Sequence, residues 1–186
     1  MKKTFILLLL ISSILSLSAE TNSSIREDTT QTVRLSVTTY NTVYLGVSKN
    51  EVNSSIVPPS ITETTFSYNP RTMNWETDSF FFYVISFVTQ PLKITLTPSV
   101  LKESGGTTLD WRNTSSDFGS LSSSSMYTMD ENGEQTIKVL ELKTEEGNYT
   151  SPRVYSWEMK LVVDGNKEVK AAKYSGTFIL EVATNT

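Results

Sequence analysis

Apolar and polar residues alternate along most of this chain, which is the pattern of β-strands rather than helices. The segment 173–186 reads KYSGTFILEVATNT, and its apolar or small residues fall on every second position from Tyr174 to Val182. A period of two predicts a strand with one face against a core and one face in water. We expect this strand to span 174–183.

The same alternation predicts strands throughout the rest of the chain. They are expected at 32–38, 42–47, 64–68, 79–89, 92–97, 108–112, 136–143 and 154–163. The segments between them are rich in Gly, Pro, Asn and Asp, which favour tight turns. Many short strands separated by regular turns predict an all-β sandwich of immunoglobulin-like type, with no second folded domain.

The segment 154–163 is expected to form one continuous strand. Its apolar residues run without interruption from Tyr155 to Val163 on alternate positions. Asp164-Gly165 follows directly, and this dipeptide favours a hairpin turn.

The segment 79–89 is apolar on both faces. Phe80, Phe82 and Val84 share one face, and the other face carries Phe81, Tyr83, Ile85 and Phe87. The second face is explained either by a loop that covers it or by a neighbouring molecule that buries it.

The N-terminal segment is typical of a secretory signal peptide. Lys2 and Lys3 precede an apolar run from Phe5 to Ile11, and small residues follow up to Ala19. The run is shorter than the roughly 20 apolar residues of a membrane span. We therefore expect residues 1–19 to be a cleaved signal peptide and the remaining 167 or so residues to be exported.

Charge and composition exclude several kinds of partner. The chain has a formal net charge of −4, and removal of Lys2 and Lys3 leaves 14 basic residues against 20 acidic ones. An acidic, unclustered surface argues against nucleic-acid binding and against membrane insertion. The chain has no cysteine, so it has no disulfide framework.

The residues that most often carry chemistry are scarce. The chain has no His and no Cys, so the commonest general base, thiol nucleophile and metal ligands are missing. Asp110, Asp117, Asp130 and Glu131 are candidates for carboxylate catalysis by residue type alone, and solvated loop charges explain them equally. We expect no enzyme, no catalytic residues, no cofactor and no metal, and we expect 130–134 to be a turn.

Three stretches of the sequence carry a family resemblance. The segment around YSGTFILEV resembles the C-terminal strand of pilins of the alpha (class 5) chaperone–usher fimbriae, the group that includes colonisation factor antigen I. The second is FSYNPRTMNWETDSFFFYVISF followed by LKITLT, which is similar to that family's Tyr-x-Pro loop and the two strands after it. The third is TVRLSVTT, similar to the family's N-terminal segment through Val33, Ser36 and Val37, although Thr38-Thr39 replaces the family's Asp-Pro.

The resemblance implies an incomplete immunoglobulin-like sandwich that a donor strand from another subunit completes. On this interpretation residues 20–38 are an N-terminal extension with the donor strand, and 39–186 are the pilin domain. The implied partners are neighbouring pilin subunits, a periplasmic chaperone, an outer-membrane usher and a tip adhesin. The implied location is a fimbrium at the cell surface, reached through the periplasm, where it supports adhesion.

The resemblance also implies roles for particular residues. Val33, Leu35 and Val37 would form the donor strand, and Tyr174, Phe178, Leu180 and Val182 would line the acceptor groove. The pattern alone allows 32–38 to be an ordinary first strand of its own sandwich. Two other functions stay open: a minor or tip subunit with its own ligand site, and a secreted monomeric sandwich that binds a carbohydrate or a protein.

Overall fold

The computed structural model describes residues 31–37, 43–147, 149–165 and 172–184. The predicted signal peptide and the first part of the N-terminal extension lie outside these residues. Within them the chain forms fifteen strands and no helix. Accordingly, no helix in these ranges is long and apolar enough to cross a membrane.

The strands, in chain order, are numbered from the N-terminal end. They are β1 (Gln31–Val37), β2 (Val43–Ser48), β3 (Glu63–Asn69), β4 (Asn74–Thr77), β5 (Phe80–Ser86), β6 (Leu92–Thr97), β7 (Leu101–Lys102), β8 (Thr108–Leu109), β9 (Arg112–Asn113), β10 (Tyr127–Met129), β11 (Gln135–Ile137), β12 (Leu140–Thr144), β13 (Arg153–Met159), β14 (Leu161–Asp164) and β15 (Tyr174–Thr184).

The architecture is the β-sandwich that the sequence predicts. A large sheet runs in the order β12-β6-β15-β1-β3-β4-β14-β9, with β7 and β8 attached beside β15. A small sheet has the order β13-β5-β2, and β10 and β11 form a separate hairpin. The main core contains side chains from both sheets, among them Phe82 and Val84 from the small sheet and Leu96, Phe178 and Leu180 from the large one.

The prediction of one continuous strand over 154–163 is wrong. The chain leaves the small sheet after Met159 and enters the large sheet at Leu161. The break is held by Asn113, whose Oδ1 accepts a hydrogen bond from the Lys160 N–H at 3.1 Å. Because both halves face the same core, the apolar alternation continues across the break and gives no sign of it.

The hairpin prediction at Asp164-Gly165 is also wrong. β14 pairs with β4 and β9, and β15 pairs with β1, β6 and β7, so the two strands are not hydrogen-bonded to each other. Asp164 is instead the register partner of Asn74. The predicted strands at 108–112 and 136–143 are each divided into two short strands, and β4, β7 and β10 carry no alternation long enough to have been predicted.

A loop covers Tyr83 and Ile85 on the outer face of β5, so the first of the two explanations that the sequence left open holds for this part of the face, while Phe81 is only half-buried. Val52, in the connection between β2 and β3, packs with Tyr83, Ile85 and Val154 in a second, smaller core. Phe87, just beyond β5, remains 43% exposed and contacts only the edge of Tyr44 among aromatic rings of the described residues.

Candidate acceptor groove and donor strand

β15 lies near the middle of the large sheet. Its eleven residues alternate between core and solvent, and Tyr174, Phe178 and Leu180 are at most 1% exposed. Val182 is partly buried against the same core. The structure therefore brings together the four C-terminal residues predicted from the sequence on one core-facing side of one strand.

Aromatic packing fixes the buried side of β15. The ring of Phe178 lies 5.5 Å from the ring of Trp111 and 6.5 Å from that of Phe82. The indole N–H of Trp111 donates a 3.1 Å hydrogen bond to the carbonyl of Ser99. Since these rings come from three separate parts of the chain, Phe178 is a central packing point of the sandwich.

Gly176 is required by a close approach of backbone. A Cβ built at Gly176 would lie 2.6 Å from the carbonyl oxygen of Val100. Any larger residue would push apart β15 and the segment leading into β7. This contact gives a physical reason for a glycine in the Tyr-Ser-Gly motif.

Tyr174 begins β15 in a buried, acidic environment. Its side chain is fully buried, and burial, together with the nearby Glu103 carboxylate, raises the pKa of the phenol above its usual value. The neutral hydroxyl is therefore retained throughout the physiological pH range.

β15 has strand partners on both sides. On one side β6 pairs antiparallel with it, from Ile179 opposite Thr97 to Thr184 opposite Leu92. On the other side β1 pairs parallel with it, from Gln31 opposite Tyr174 to Val37 opposite Leu180. The predicted acceptor strand thus has one edge covered by β6 and the other covered by the predicted donor strand of the same chain.

The three predicted donor residues pair with core-facing positions of β15. In the parallel register, Val33 pairs with Gly176, Leu35 with Phe178, and Val37 with Leu180. Those positions of β15 belong to its core-facing set. The first half of β1 also pairs antiparallel with β3, where Thr32 stands opposite Thr65.

β1 is the strand that joins the large sheet. In the strand order, β12, β6 and β15 lie on one side of β1, and β3, β4, β14 and β9 lie on the other. Among the described strands no other pairing connects these two halves. Without β1, a gap one strand wide would separate the edges of β15 and β3 above the main core. We name this gap the β1 groove.

The carboxylates considered for catalysis do not form one site. Asp130 accepts hydrogen bonds from the N–H groups of Asn132 and Glu134 and closes the turn between β10 and β11, as predicted for 130–134. Asp117 accepts a bond from the Glu158 N–H, and Asp110 accepts one from the Ser123 hydroxyl. In the described ranges there is no group of three or more acidic, His or Cys side chains able to hold a metal ion.

No protein-family model matches the chain, and a search of curated proteins finds no match.

Proposed function

We propose that this protein is a structural subunit of a bacterial surface fimbria, and that copies join by exchange of the N-terminal strand. The observation that carries the proposal is the place of β1, which alone connects the two halves of the large sheet in the described chain. The strand that completes the sandwich is therefore also the first strand of the described residues.

The groove left by β1 has the properties of a strand acceptor. Removal of β1 would leave two unpaired backbone edges, on β15 and β3, beside the buried side chains Phe178 and Leu180. Unpaired edges above an apolar core bind extended segments strongly, since main-chain hydrogen bonds form and side chains fill the pockets.

A second copy of the chain supplies a matching strand. β1 is followed by only five residues, 38–42, before β2 begins in the other sheet. It can leave the groove while β2 to β15 keep their pairings, and β1 of another copy can then make the same contacts. Exchange of an identical element between copies is a low-cost route to assembly.

The remaining partners follow from this proposal. A chain whose groove is open during export is prone to aggregate, because unpaired strand edges bind one another. A periplasmic chaperone that covers the groove and an outer-membrane usher that exchanges strands meet this need. The polymer supports attachment of the cell, and a tip adhesin is a further expected partner.

The second candidate is a secreted monomeric sandwich, and one specific observation favours it. β1 occupies the groove of its own chain in parallel with β15. If β1 never leaves, the protein is a complete single-copy domain. The two functions differ in whether the groove is filled in cis or in trans.

Two adjacent positions on β15 test the proposal. Leu180 is 1% exposed and Ile179 is 40% exposed. Leu180→Asp places an unpaired carboxylate in the β1 groove, whereas Ile179→Asp places one in solvent. Co-expression with a cognate chaperone should give a complex with wild type and Ile179→Asp and none with Leu180→Asp. The proposal also requires that the wild-type chain forms surface polymer, seen as fibres by electron microscopy and as multimers on gels. A wild-type chain that stays monomeric at the cell surface would overturn the proposal.

A further inference from the structure

The connection between β2 and β3 encloses a cleft on the side of the molecule that β5 presents outwards. The loop runs over residues 49–62 without regular secondary structure. It surrounds a cleft of about 390 Å³ that is lined by residues 48–54 and by Ile56, Pro58, Pro59 and Ile61. This volume lies within the range of about 300–1,000 Å³ that is usual for small-molecule sites. We name it the loop cleft.

The loop is held in place at several points. The Val52 N–H donates a 3.2 Å hydrogen bond to the Ser156 hydroxyl, and Val52 itself is buried. The Ile61 N–H donates a 2.8 Å bond to the Val47 carbonyl. The Ser60 and Tyr83 hydroxyls lie 2.9 Å apart, directly above Gly46.

The absence of a side chain at Gly46 makes the last of these contacts possible. A Cβ there would lie 2.6 Å from the Tyr83 hydroxyl oxygen and 2.7 Å from the Ser60 Oγ. Pro58 and Pro59 add fixed φ angles to the apolar wall. The cleft is thus formed before a ligand arrives, which lowers the entropic cost of binding.

Three polar side chains that line the cleft have no hydrogen-bond or ion-pair partner among the described residues. Asn50, Glu51 and Asn53 are exposed, and within the described chain their side chains make no hydrogen bond or ion pair. The two amides each offer a donor and an acceptor, and the carboxylate offers two acceptor oxygens. The remaining lining residues Ile56, Pro58, Pro59 and Ile61 are apolar, and Ile56 is 77% exposed, so its side chain is free to contact a ligand.

We propose that the loop cleft binds a neutral saccharide. A sugar ring has hydroxyl groups around its rim and C–H groups on its faces. Adjacent hydroxyls would donate to the Glu51 carboxylate and exchange hydrogen bonds with Asn50 and Asn53. A C–H face of the ring would pack against Ile56 and Pro58.

Charge and geometry favour this ligand over two others. Lys49 and Glu51 both line the cleft, so its formal charges cancel and an anionic ligand gains little from electrostatics. An extended peptide normally adds to a sheet edge, whereas the loop that forms this cleft belongs to no sheet.

The proposal goes beyond polymer formation and does not depend on it, since the cleft is lined by Ser48 of β2 and by the β2–β3 loop, and not by β1, β3 or β15. If copies do polymerise, each repeats the cleft along the fibre. Weak single sites then combine into strong attachment to a glycan-covered surface, since linked sites raise the effective concentration of one another.

The test is a titration of the mature chain with methyl glycosides of glucose, galactose, mannose and N-acetylglucosamine, followed by backbone amide chemical shifts. At least one sugar should shift the amides of residues 48–61 in a saturable manner. Glu51→Gln should weaken that binding about tenfold, because hydrogen bonds to charged groups are the stronger ones. Asn53→Ala should weaken it by a smaller factor.

Matched controls come from the exposed turn between β10 and β11. Glu131→Gln and Asn132→Ala make the same chemical changes there and should leave the affinity unchanged. Absence of shifts with every sugar, shifts confined to residues outside the loop, or equal binding by Glu51→Gln and wild type would each overturn the proposal. Polymer formation by Glu51→Gln should match wild type, so failure of the cleft proposal and failure of the polymer proposal are separately visible.

Discussion

Leu35 stands opposite Phe178 in the parallel pairing of β1 with β15. Phe178 is fully buried between Trp111 and Phe82, so the register places the middle of the N-terminal strand beside the centre of the core. β1 therefore connects the two halves of the large sheet next to the centre of the core. This relationship makes the groove testable without knowledge of any partner.

Deletion of the N-terminal strand should produce a chain that a peptide can rescue. A variant lacking residues 20–38 loses the only described link between β15 and β3 and should be strongly destabilised. A synthetic peptide of residues 29–38 should bind it and raise its melting temperature in a concentration-dependent manner, since a ligand that binds only the folded state stabilises it.

The matched control is the same peptide with Leu35→Asp, which should give no rise, because residue 35 is the register partner of the buried Phe178 and a carboxylate beside an apolar core is costly. A deletion variant as stable as wild type without any peptide would contradict the role given to β1.

The length of a linker should reveal the direction of the strand. Residues 29–38 can be appended after Thr186 in the deletion variant. To run parallel to β15, the appended strand must begin beside Tyr174, about 33 Å back along a strand of eleven residues. A linker of about ten or more residues can cover that distance, and one of three residues cannot.

Melting temperatures measured by circular dichroism should therefore rise for the long linker and not for the short one. A rise with the three-residue linker would mean that the groove accepts the strand in the antiparallel direction.

Removing one partner of a buried ion pair should strongly destabilise the fold. Arg153 donates to the Glu145 carboxylate, and their side chains are 8% and 1% exposed. The Glu145 carboxylate also accepts bonds from the Leu92 N–H and the Tyr155 hydroxyl. Arg153→Met leaves this carboxylate buried without its counter-ion and should lower the free energy of unfolding by about 3–5 kcal/mol, as measured with urea.

The control for that experiment is an exposed pair. Lys93 and Glu141 lie 3.6 Å apart with about half of each side chain exposed. Glu141→Gln should change the free energy of unfolding by less than about 1 kcal/mol. Equal losses of unfolding free energy in Arg153→Met and Glu141→Gln would contradict the expectation that burial makes the loss of an ion pair costly.

Stability should fall in acid partly through Glu76. Its carboxylate lies 2.8 Å from the Lys160 ammonium and accepts a bond from the Thr72 hydroxyl, and these contacts lower its pKa from 4.5 to about 2. Because the folded pKa is below the unfolded one, the contribution is fully present above pH 4.5 and is lost as the pH falls towards 2. Urea midpoints from about pH 6 to pH 2 should decline less steeply in Glu76→Gln than in wild type, whereas Glu131→Gln should follow wild type.

The sequence was informative where one strand has one buried face. β6 was predicted at 92–97 and is found from Leu92 to Thr97, because its alternation is strict and turn residues bound it. The core-facing set of β15 was predicted for the same reason. Alternation of apolar and polar residues shows which face of a strand is buried, so it predicts the core-facing residues of such strands correctly.

Alternation does not report which strands are neighbours. It could not distinguish one strand over 154–163 from two strands in different sheets, since the apolar face stays in phase across Lys160. It also could not place β1 between β15 and β3. The loop cleft was missed because Asn50, Glu51 and Asn53 form a polar segment without any period, and only the fold brings them into one cleft with Ile56 and Pro58.

The most direct measurement of strand exchange uses the absence of native cysteine. Thr32 of β1 and Thr65 of β3 are antiparallel register partners, so a Thr32→Cys/Thr65→Cys variant has two thiols at a distance that a disulfide can bridge. The measurement is a non-reducing gel of assembled protein recovered from the cell surface, with each single-cysteine variant as a control. If β1 of one copy fills the groove of the next in the register seen here, the double variant gives a ladder of covalent multimers that a reductant collapses to one band. A single monomer band with both thiols oxidised would mean that β1 stays in its own chain, and it would contradict the account.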